Sequence, residues 1–234
     1  MARSKRKEVK TIVVPKIKSD KKFQIEEAYK MARTNLSFSI LKEGCKKIIV
    51  TSSLSKEGKS TASVNIAIAL AQQINTKVLL VDCDLRRPRV NQFFDLLNTP
   101  GLTDYLSRKK KLEDVTHKTD IKNLSTICAG TIPPNPSEIL SSDYFEKFLT
   151  AVESRYDYIV IDTSPLNMVV DALPLAKLVD GVVISIMQGE STHPELQKTI
   201  ETLRRVEAKI LGVVMHSIKV NGKKGYKYDY DYGY

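Results

Sequence analysis

The sequence predicts an α/β fold in three layers, with a central, mostly parallel β-sheet flanked by helices on both faces. Segments rich in Val, Ile and Leu alternate with segments of helical periodicity, which is the order that builds a parallel sheet. The strand-like segments are apolar along their whole length, as expected for strands that are buried on both faces. With 234 residues, 42% of them hydrophobic, the chain is long enough to form one large domain.

The predicted elements follow one another in a regular order. They are a helix over about 23–41, the strand "KKIIVTSS", the helix "TASVNIAIALAQQI", the strand "KVLLVDCDLRRP", short helical pieces at 102–106 and 112–115, the strand "LSTICAG", the turn-rich connection "TIPPNPSEIL", a helix over 144–152, and the strands "YDYIVIDTSP", "DGVVISIM" and "ILGVVMHSI", with a helix over about 194–207 between the last two. Ligands bind at the carboxyl ends of parallel strands. Residues 52–60, 82–87 and 162–165 are therefore expected to gather at one edge of the sheet.

Composition limits the class of protein and its partners. The formal net charge is +10, but no helix-turn-helix, zinc-finger or aromatic-basic pattern accompanies the basic clusters, so nucleic acid is not a predicted partner. No apolar run approaches the roughly 18 residues that span a bilayer, and the basic N-terminus lacks the apolar core of a secretory signal. Three scattered cysteines do not suit a disulfide framework or a zinc site, and they indicate a reducing cytosol.

Three regions are predicted along the chain. Residues 1–22 form a basic N-terminal extension, residues 23–217 the folded domain, and residues 218–234 a flexible tail. The tail carries five tyrosines on alternate residues, a spacing that suits a strand, but nothing apolar shares their face and chain ends are commonly disordered. It is either a sticky end or a set of hydroxyls kept accessible for modification. These tyrosines are Tyr226, Tyr228, Tyr230, Tyr232 and Tyr234.

The segment "SLSKEGKST", residues 53–61, is the first candidate site. It follows a predicted strand and opens a helix, where backbone amides favour an anion. Gly58, Lys59 and Ser60 match the end of a phosphate-binding loop, in which the lysine reaches the β- and γ-phosphates and the hydroxyl binds Mg²⁺. The predicted nucleotide-binding residues are Ser53, which stands where the common pattern has its first glycine, Ser55, Lys56, Glu57, Gly58, Lys59, Ser60 and Thr61.

Carboxylates end two of the predicted strands. Asp82 and Asp84 follow "VLLV", and Asp162 follows "YIVI". Three carboxylates near a phosphate loop would repel one another without a cation, and Mg²⁺ binds carboxylates together with phosphate oxygens. Alternatively, Asp82 and Asp84 could cap a helix or form an ion pair with Arg86. Two acids directly after a buried apolar strand argue against this, because burying an unpaired carboxylate is costly. A nucleotide bound together with Mg²⁺ is therefore predicted at this edge of the sheet.

Three segments together resemble the Walker A, Walker A-prime and Walker B motifs of bacterial tyrosine kinases: "TSSLSKEGKST", "VLLVDCDLRRP" and "YDYIVIDTSP". These are the cytoplasmic autokinases of capsule and exopolysaccharide synthesis in Gram-positive bacteria, P-loop NTPases with deviant Walker motifs. "AGTIPPNPSEIL" resembles a loop of that family, and the five tyrosines resemble its autophosphorylated cluster. The resemblance covers roughly residues 23–234 and implies a tyrosine autokinase that regulates polysaccharide synthesis and export.

The resemblance implies catalytic roles for Lys59, Asp82 and Asp84. The implied cofactors are ATP and Mg²⁺: Lys59 would hold the phosphates, and Ser60, Asp84 and Asp162 would hold Mg²⁺ directly or through water. Asp82 would orient or deprotonate the incoming tyrosine hydroxyl. The chain departs from the family in the phosphate loop, where the family usually carries Pro-Gly and this chain has Ser55 and Lys56. The side chain of Lys56 stands where backbone must approach phosphate, so it either attracts phosphate or crowds the loop.

The resemblance also implies partners. Glu27, Lys30 and Arg33 match the family's E-x-x-R-x-x-R oligomerisation segment, with Lys30 in place of its first arginine; the alternative is an ordinary helix surface. A ring of subunits would phosphorylate one another's tails in trans. A separate membrane-embedded protein of the polysaccharide chain-length type would complete the active site and recruit the cytoplasmic kinase to the inner face of the membrane. A cognate tyrosine phosphatase would reverse the reaction.

Two other functions use the same fold. A switch ATPase of the kind that positions division sites or segregates DNA has the same sheet. Such proteins usually carry a signature lysine at the position where this chain has Leu54. A nucleotide-binding adaptor phosphorylated by another kinase would need no catalysis, and Lys56 keeps this alternative open. ATP hydrolysis without phosphotyrosine would indicate the first, and ATP binding with neither product would indicate the second.

Overall fold

The chain forms one seven-stranded sheet in a computed structural model that describes residues 19–217. The strands are β1 Lys46–Ser52, β2 Val78–Cys83, β3 His117–Lys118, β4 Leu124–Ile127, β5 Tyr158–Thr163, β6 Gly181–Gln188 and β7 Ile210–Ser217. Their order is β3–β4–β2–β5–β1–β6–β7, and all neighbours are parallel except the pair β3–β4. The predicted mostly parallel sheet is confirmed. The predictions for residues 1–18 and for the five tail tyrosines lie outside the described residues.

The helices of the described part are α1 Ser19–Ser39, α2 Lys59–Ala71, α3 Val90–Phe93, α4 Leu102–Leu106, α5 Leu112–Val115, α6 Pro136–Leu140, α7 Asp143–Glu153, α8 Ala172–Ala176 and α9 His193–Arg205. Helix α1 precedes β1, and the other helices of this part lie between strands. Helices α4 and α5 have the predicted bounds. Between residues 19 and 217, no helix is both long enough and apolar enough to cross a membrane.

Two hydrophobic clusters, one on each face of the sheet, form the three predicted layers. Ile48 and Val50 of β1 pack on one face with α1 and α2, and Ile49 between them packs on the other face with α4 to α9. All three are at most 1% exposed. Burial on both faces explains why this strand is apolar at every position rather than at every second one.

Five elements differ from the sequence-based prediction. Helix α1 begins at Ser19, so the predicted boundary between residues 22 and 23 falls inside it. The prediction placed the start of the helix at Phe23, where the apolar spacing begins. The first turn of the helix is polar and has no apolar spacing, so this pattern could not indicate it. Helix α6 lies within the predicted turn "TIPPNPSEIL" because Pro136 occupies its first position, where a missing N–H costs no hydrogen bond. Helices α3 and α8 and the short strand β3 were not predicted.

Parallel strands bring the candidate site residues to one edge, as predicted. Asp82 and Asp162 are direct register partners on β2 and β5, and Val50 of β1 pairs with Asp162 from the other side. The loops that follow β1, β2 and β5 therefore meet in front of the N-terminus of α2.

Candidate nucleotide-binding and catalytic site

The phosphate loop, residues 53–60, joins β1 to α2. No side chain caps the N-terminus of α2, so the amides of its first turn have no intrahelical partner and favour an anion in front of the helix. Gly58 precedes the helix with φ of 79°. A Cβ at Gly58 would lie 2.7 Å from Cδ2 of His216 on β7. Both the backbone conformation and this contact therefore require glycine here.

Glu57 anchors the loop to the sheet. Its carboxylate accepts hydrogen bonds from the amide of Leu54, at 2.7 Å, and from the hydroxyl of Ser191. The hydroxyl of Ser185 donates to the carbonyl of Glu57 at 2.6 Å. Glu57 is buried and does not line the cavity beside the loop. Its side chain shapes the loop instead of facing a nucleotide.

Ser53 and Lys56 lie on opposite sides of the loop. Ser53 is buried, and its hydroxyl accepts a hydrogen bond from Thr199 of α9 at 2.8 Å. Lys56 is exposed, lines the cavity, and has φ of 70°. A left-handed conformation costs a residue with a Cβ roughly 1–2 kcal/mol. Lys56 thus adds a cation to the cavity but has a strained backbone. The family that the sequence resembles has glycine at this position.

Lys59 and Asp84 form a buried ion pair, with 2.6 Å between Nζ and Oδ2. The other oxygen of Asp84 accepts hydrogen bonds from the Ser164 hydroxyl and the Arg87 amide, both at 3.0 Å. Burial opposes the charged carboxylate, but the ammonium group of Lys59 outweighs it and holds the pKa of Asp84 below its ordinary value. Burial also opposes the charge on Lys59, yet Asp162 and Asp84 raise its pKa. Both groups are charged at neutral pH.

Asp82 and Asp162 lie side by side beneath this pair and are fully buried. Asp82 accepts hydrogen bonds from three backbone amides at 3.0–3.1 Å, those of Asp84, Arg89 and Val90. Asp162 accepts one from Ser63 at 3.0 Å, while its Oδ2 has no partner among the described residues. Burial and the charge of Asp162 raise the pKa of Asp82 to about 7. Burial also raises the pKa of Asp162.

The predicted metal ligands fit a Mg²⁺ ion that is shared with phosphate. Across residues 19–217, no group of three or more His, Cys, Asp or Glu side chains is arranged to hold a metal ion. Mg²⁺ needs only one or two carboxylates when substrate phosphates and waters complete its shell. Ser60 lies in the first turn of α2, Asp84 lines the cavity, and Asp162 has a buried acceptor without a partner.

A cavity of about 680 Å³ opens beside the phosphate loop, a size typical of small-molecule sites. Seven predicted residues line it: Ser55, Lys56, Gly58, Lys59, Ser60, Thr61 and Asp84. Four do not: Ser53, Glu57, Asp82 and Asp162. Site prediction from sequence did not include several other lining residues: Arg89, Gln92, Phe93, Ser164, Met168, Val169 and Met187. The sequence did indicate Ser164, because it follows Asp162 at the end of a strand. No sequence pattern indicated the apolar loop residues.

Arg86 lines the cavity in a fixed orientation. Its Nε and Nη2 donate to the two oxygens of Asp171 at 2.6 and 3.1 Å, and the Ser137 hydroxyl donates to the same carboxylate at 2.5 Å. The side chain of Asp171 is 1% exposed. The ion pair of Arg86 is therefore with Asp171 and not with Asp82 or Asp84.

The predicted oligomerisation residues lie on α1. Lys30 contacts Glu27 at 2.6 Å in an exposed ion pair, and Arg33 donates to the carbonyl of Ala69 at 3.1 Å. Arg33 thus binds the last turn of α2 within the same chain. A role for these residues between subunits stays a prediction.

Comparison with known proteins identifies the class of protein to which the chain belongs. Residues 45–214 match the family described as AAA domain, so the fold and the site define a nucleotide-binding protein of the P-loop class. Tyrosine-protein kinase YwqD of Bacillus subtilis (strain 168) is 38% identical over 208 residues, which cover 89% of this chain and 85% of that protein. Putative tyrosine-protein kinase CapB of Staphylococcus aureus is 35% identical over 222 residues, 94% of this chain and 97% of that one. The chain belongs to the bacterial tyrosine-protein kinases, which confirms the resemblance.

Solved structures agree with this assignment. The chimerical protein CapA2B2 is similar with a TM-score of 0.77 and 34% identity, over 81% of this chain and 83% of that one. The septum site-determining protein MinD of Pyrococcus horikoshii OT3, complexed with Mg-ADP, has a TM-score of 0.61 at 22% identity, over 73% of this chain and 70% of that one. The second likeness shows the shared fold alone.

Proposed function

We propose that this kinase transfers the γ-phosphoryl group of ATP to the tyrosines of the C-terminal tail of a neighbouring copy. The acceptors are Tyr226, Tyr228, Tyr230, Tyr232 and Tyr234. The observation that carries the proposal is the buried Lys59–Asp84 pair, which lies in a nucleotide-sized cavity at the N-terminus of α2. A cation, free backbone amides and a carboxylate are the groups that hold a triphosphate and its metal ion.

Phosphoryl transfer depends on positioning and on charge neutralisation more than on covalent help from the protein. Lys59 and the first amides of α2 hold the β- and γ-phosphates. To reach them, the Lys59 ammonium exchanges the carboxylate of Asp84 for phosphate oxygens. Ser60 and Asp84 would hold Mg²⁺ directly, and Asp162, which does not line the cavity, would hold it through water. The ion neutralises phosphate charge when it is bound.

Asp82 acts as a positioning residue in this proposal. Its predicted role as proton acceptor needs a carboxylate that reaches the cavity, and three backbone amides hold this carboxylate away from the cavity lining. Those bonds fix the segment from Asp84 to Val90, which carries Asp84 and Arg86. Asp82 thereby orients the groups that face the nucleotide.

We further propose that copies of the chain assemble through α1, with Glu27, Lys30 and Arg33 at the contact. The exposed apolar residues of this helix support such an interface: Phe23, Ile25, Met31 and Phe38. A membrane-embedded adaptor would complete the site and recruit the kinase to the inner face of the membrane, in capsule or exopolysaccharide synthesis; a tyrosine phosphatase would reverse the reaction. The likeness to a chimerical protein whose name joins CapA and CapB elements supports an adaptor.

Phosphate mapping tests the proposal. Purified chain is incubated with Mg-ATP, with and without a peptide from the cytoplasmic end of the adaptor, and phosphate is located by mass spectrometry. Wild type is expected to carry phosphate on tail tyrosines, and Lys59→Met is expected to carry none. A variant with all five tail tyrosines changed to Phe is the acceptor control. Hydrolysis without phosphotyrosine would point to a switch ATPase, and nucleotide binding with neither product to an adaptor; either result overturns the proposal.

A further inference from the structure

Tyr144 differs from the other tyrosines within residues 19–217. It is 41% exposed, whereas the remaining four are half-buried or buried: Tyr29, Tyr105, Tyr156 and Tyr158. It lies in the first turn of α7, next to Phe145 and one turn before Phe148, and both of these are fully buried. The buried side of the helix fixes its rotation, so the phenol of Tyr144 stays at the surface.

Two cations surround this phenol. Arg108 donates from Nη2 to the Tyr144 hydroxyl at 2.5 Å, and its guanidinium carbon lies 4.5 Å from the ring centroid. The Lys147 ammonium lies 5.5 Å from the same centroid. Arg108 has φ of 59°, a conformation that is unfavourable for a residue with a Cβ. The chain thus adopts an unfavourable backbone conformation at the residue whose side chain reaches Tyr144.

The charges nearby favour a dianion at this hydroxyl. A phosphate group would add about −1.5 to −2 charges next to Arg108 and Lys147, and the exposed lysines at 109–111 continue the basic loop. The first turn of a helix also favours negative charge. Asp143 and Glu146 on α7 oppose it, but both are exposed and neither has the direct contact that Arg108 makes. The charged guanidinium of Arg108 would then donate to an anionic phosphate oxygen instead of a neutral hydroxyl, which makes the hydrogen bond stronger.

We propose that Tyr144 is a phosphate acceptor outside the tail, modified by the kinase site of another copy of the chain. This inference rests on the proposed function. Tyr144 borders a depression of about 220 Å³ and is not part of the nucleotide cavity, and α7 is anchored by its buried side. Its phenol therefore does not turn into its own cavity.

The chemical step is the one proposed for the tail. The bond from the γ-phosphorus of ATP to the β–γ bridging oxygen breaks, and a bond to the Tyr144 oxygen forms. ADP leaves, and the phenol proton passes to solvent. Arg108 and Lys147 then neutralise the phosphate on the protein surface.

A two-protein assay tests the inference. Residues 123–147 form one tryptic peptide in which Tyr144 is the single tyrosine. Full-length Lys59→Met serves as acceptor, and the donor is a full-length variant in which Tyr144 and the five tail tyrosines are changed to Phe. With Mg-ATP, phosphotyrosine in this peptide and in the tail then comes only from the acceptor. We expect phosphate both on Tyr144 and on the tail of the acceptor. Arg108→Ala in the acceptor should lower occupancy at Tyr144 several-fold, while Lys109→Ala, which removes the same charge one residue away, should not.

The outcomes separate the two proposals. A labelled tail with an unlabelled 123–147 peptide overturns this inference and leaves the proposed function standing. No label in either segment overturns both. Equal labelling of buried Tyr158 would show that unfolded chains are the substrate, and equal occupancy in Arg108→Ala would show that the cations have no part; each result is contrary to the inference.

Discussion

The ammonium group of Lys59 lies 2.6 Å from the carboxylate of Asp84 inside the nucleotide cavity. Each group compensates the charge of the other where water is largely excluded, and a triphosphate competes with Asp84 for the same cation. The pair therefore connects the stability of the fold to the occupancy of the site.

The first prediction separates these two roles of the pair. Lys59→Met leaves Asp84 buried without its cation, so we expect the free energy of unfolding to fall by about 3 kcal/mol, at the low end for a broken buried pair. The double variant Lys59→Met with Asp84→Asn should recover most of that loss, and neither variant should phosphorylate the tail. Urea unfolding and phosphate mapping measure the two effects. Additive losses from the two single changes would contradict the coupling.

The strained backbone at Lys56 gives a second prediction. Lys56→Gly should raise the free energy of unfolding by about 1 kcal/mol, because glycine adopts φ of 70° without strain. Lys56→Ala is the matched control, since it removes the charge and keeps the Cβ. Both variants lose a cation that lines the cavity, so KM for ATP should rise about two- to five-fold in each, or about 0.5–1 kcal/mol. Equal stability of the Gly and Ala variants would refute the strain.

Asp162→Asn should make the chain more stable and inactive. Burial raises the pKa of Asp162 above its ordinary value of 3.8, so the unfolded chain loses this proton at lower pH than the folded chain. The stability that wild-type Asp162 contributes is therefore fully present below its ordinary pKa. It is lost as the pH rises through the pKa of the folded state. The free energy of unfolding of the variant should exceed that of the wild type by an amount that grows with pH across that window. For a chain of this length, a difference of about 1 kcal/mol shifts Tm by 2–4 °C. Thermal unfolding of both proteins at several pH values measures it, and a pH-independent difference would argue against the burial effect.

Asp171→Asn should weaken nucleotide use through Arg86. The variant loses the charge that holds the guanidinium at two points, so Arg86 becomes mobile at the cavity and kcat/KM for ATP should fall roughly ten-fold, or about 1.4 kcal/mol. Ser137→Ala should have a smaller effect in the same direction. Asp180→Asn is the control, because it breaks the 2.9 Å contact with Lys42 at the opposite edge of the sheet. Steady-state kinetics that are equally impaired in the control would reject a specific role.

Much of this site could be predicted from short segments, for a physical reason. Buried parallel strands are apolar at every position, so the charges that end them, such as Asp84 and Asp162, stand out, and the sheet brings strand ends together. Lys59 is recognisable because it opens a helix after such a strand. The orientation of Glu57 towards Ser191 was not predictable in this way, since the partners are 134 residues apart. Asp171 was missed for the same reason: its role depends on Arg86, 85 positions earlier.

The last described strand, β7, ends beside the phosphate loop, since a Cβ at Gly58 would lie 2.7 Å from His216, one residue before the strand ends. Eight residues separate Ser217 from Tyr226, so the first of the proposed acceptors can lie at most about 30 Å from the end of β7. Under the proposed function, each phosphate added within that reach would repel the anionic co-substrate, and we expect the kinase to slow itself by electrostatic repulsion. Later additions should be slower than the first at low ionic strength, and roughly 1 M salt should abolish that slowing by screening; progress curves that are unaffected by salt would dismiss this self-limitation.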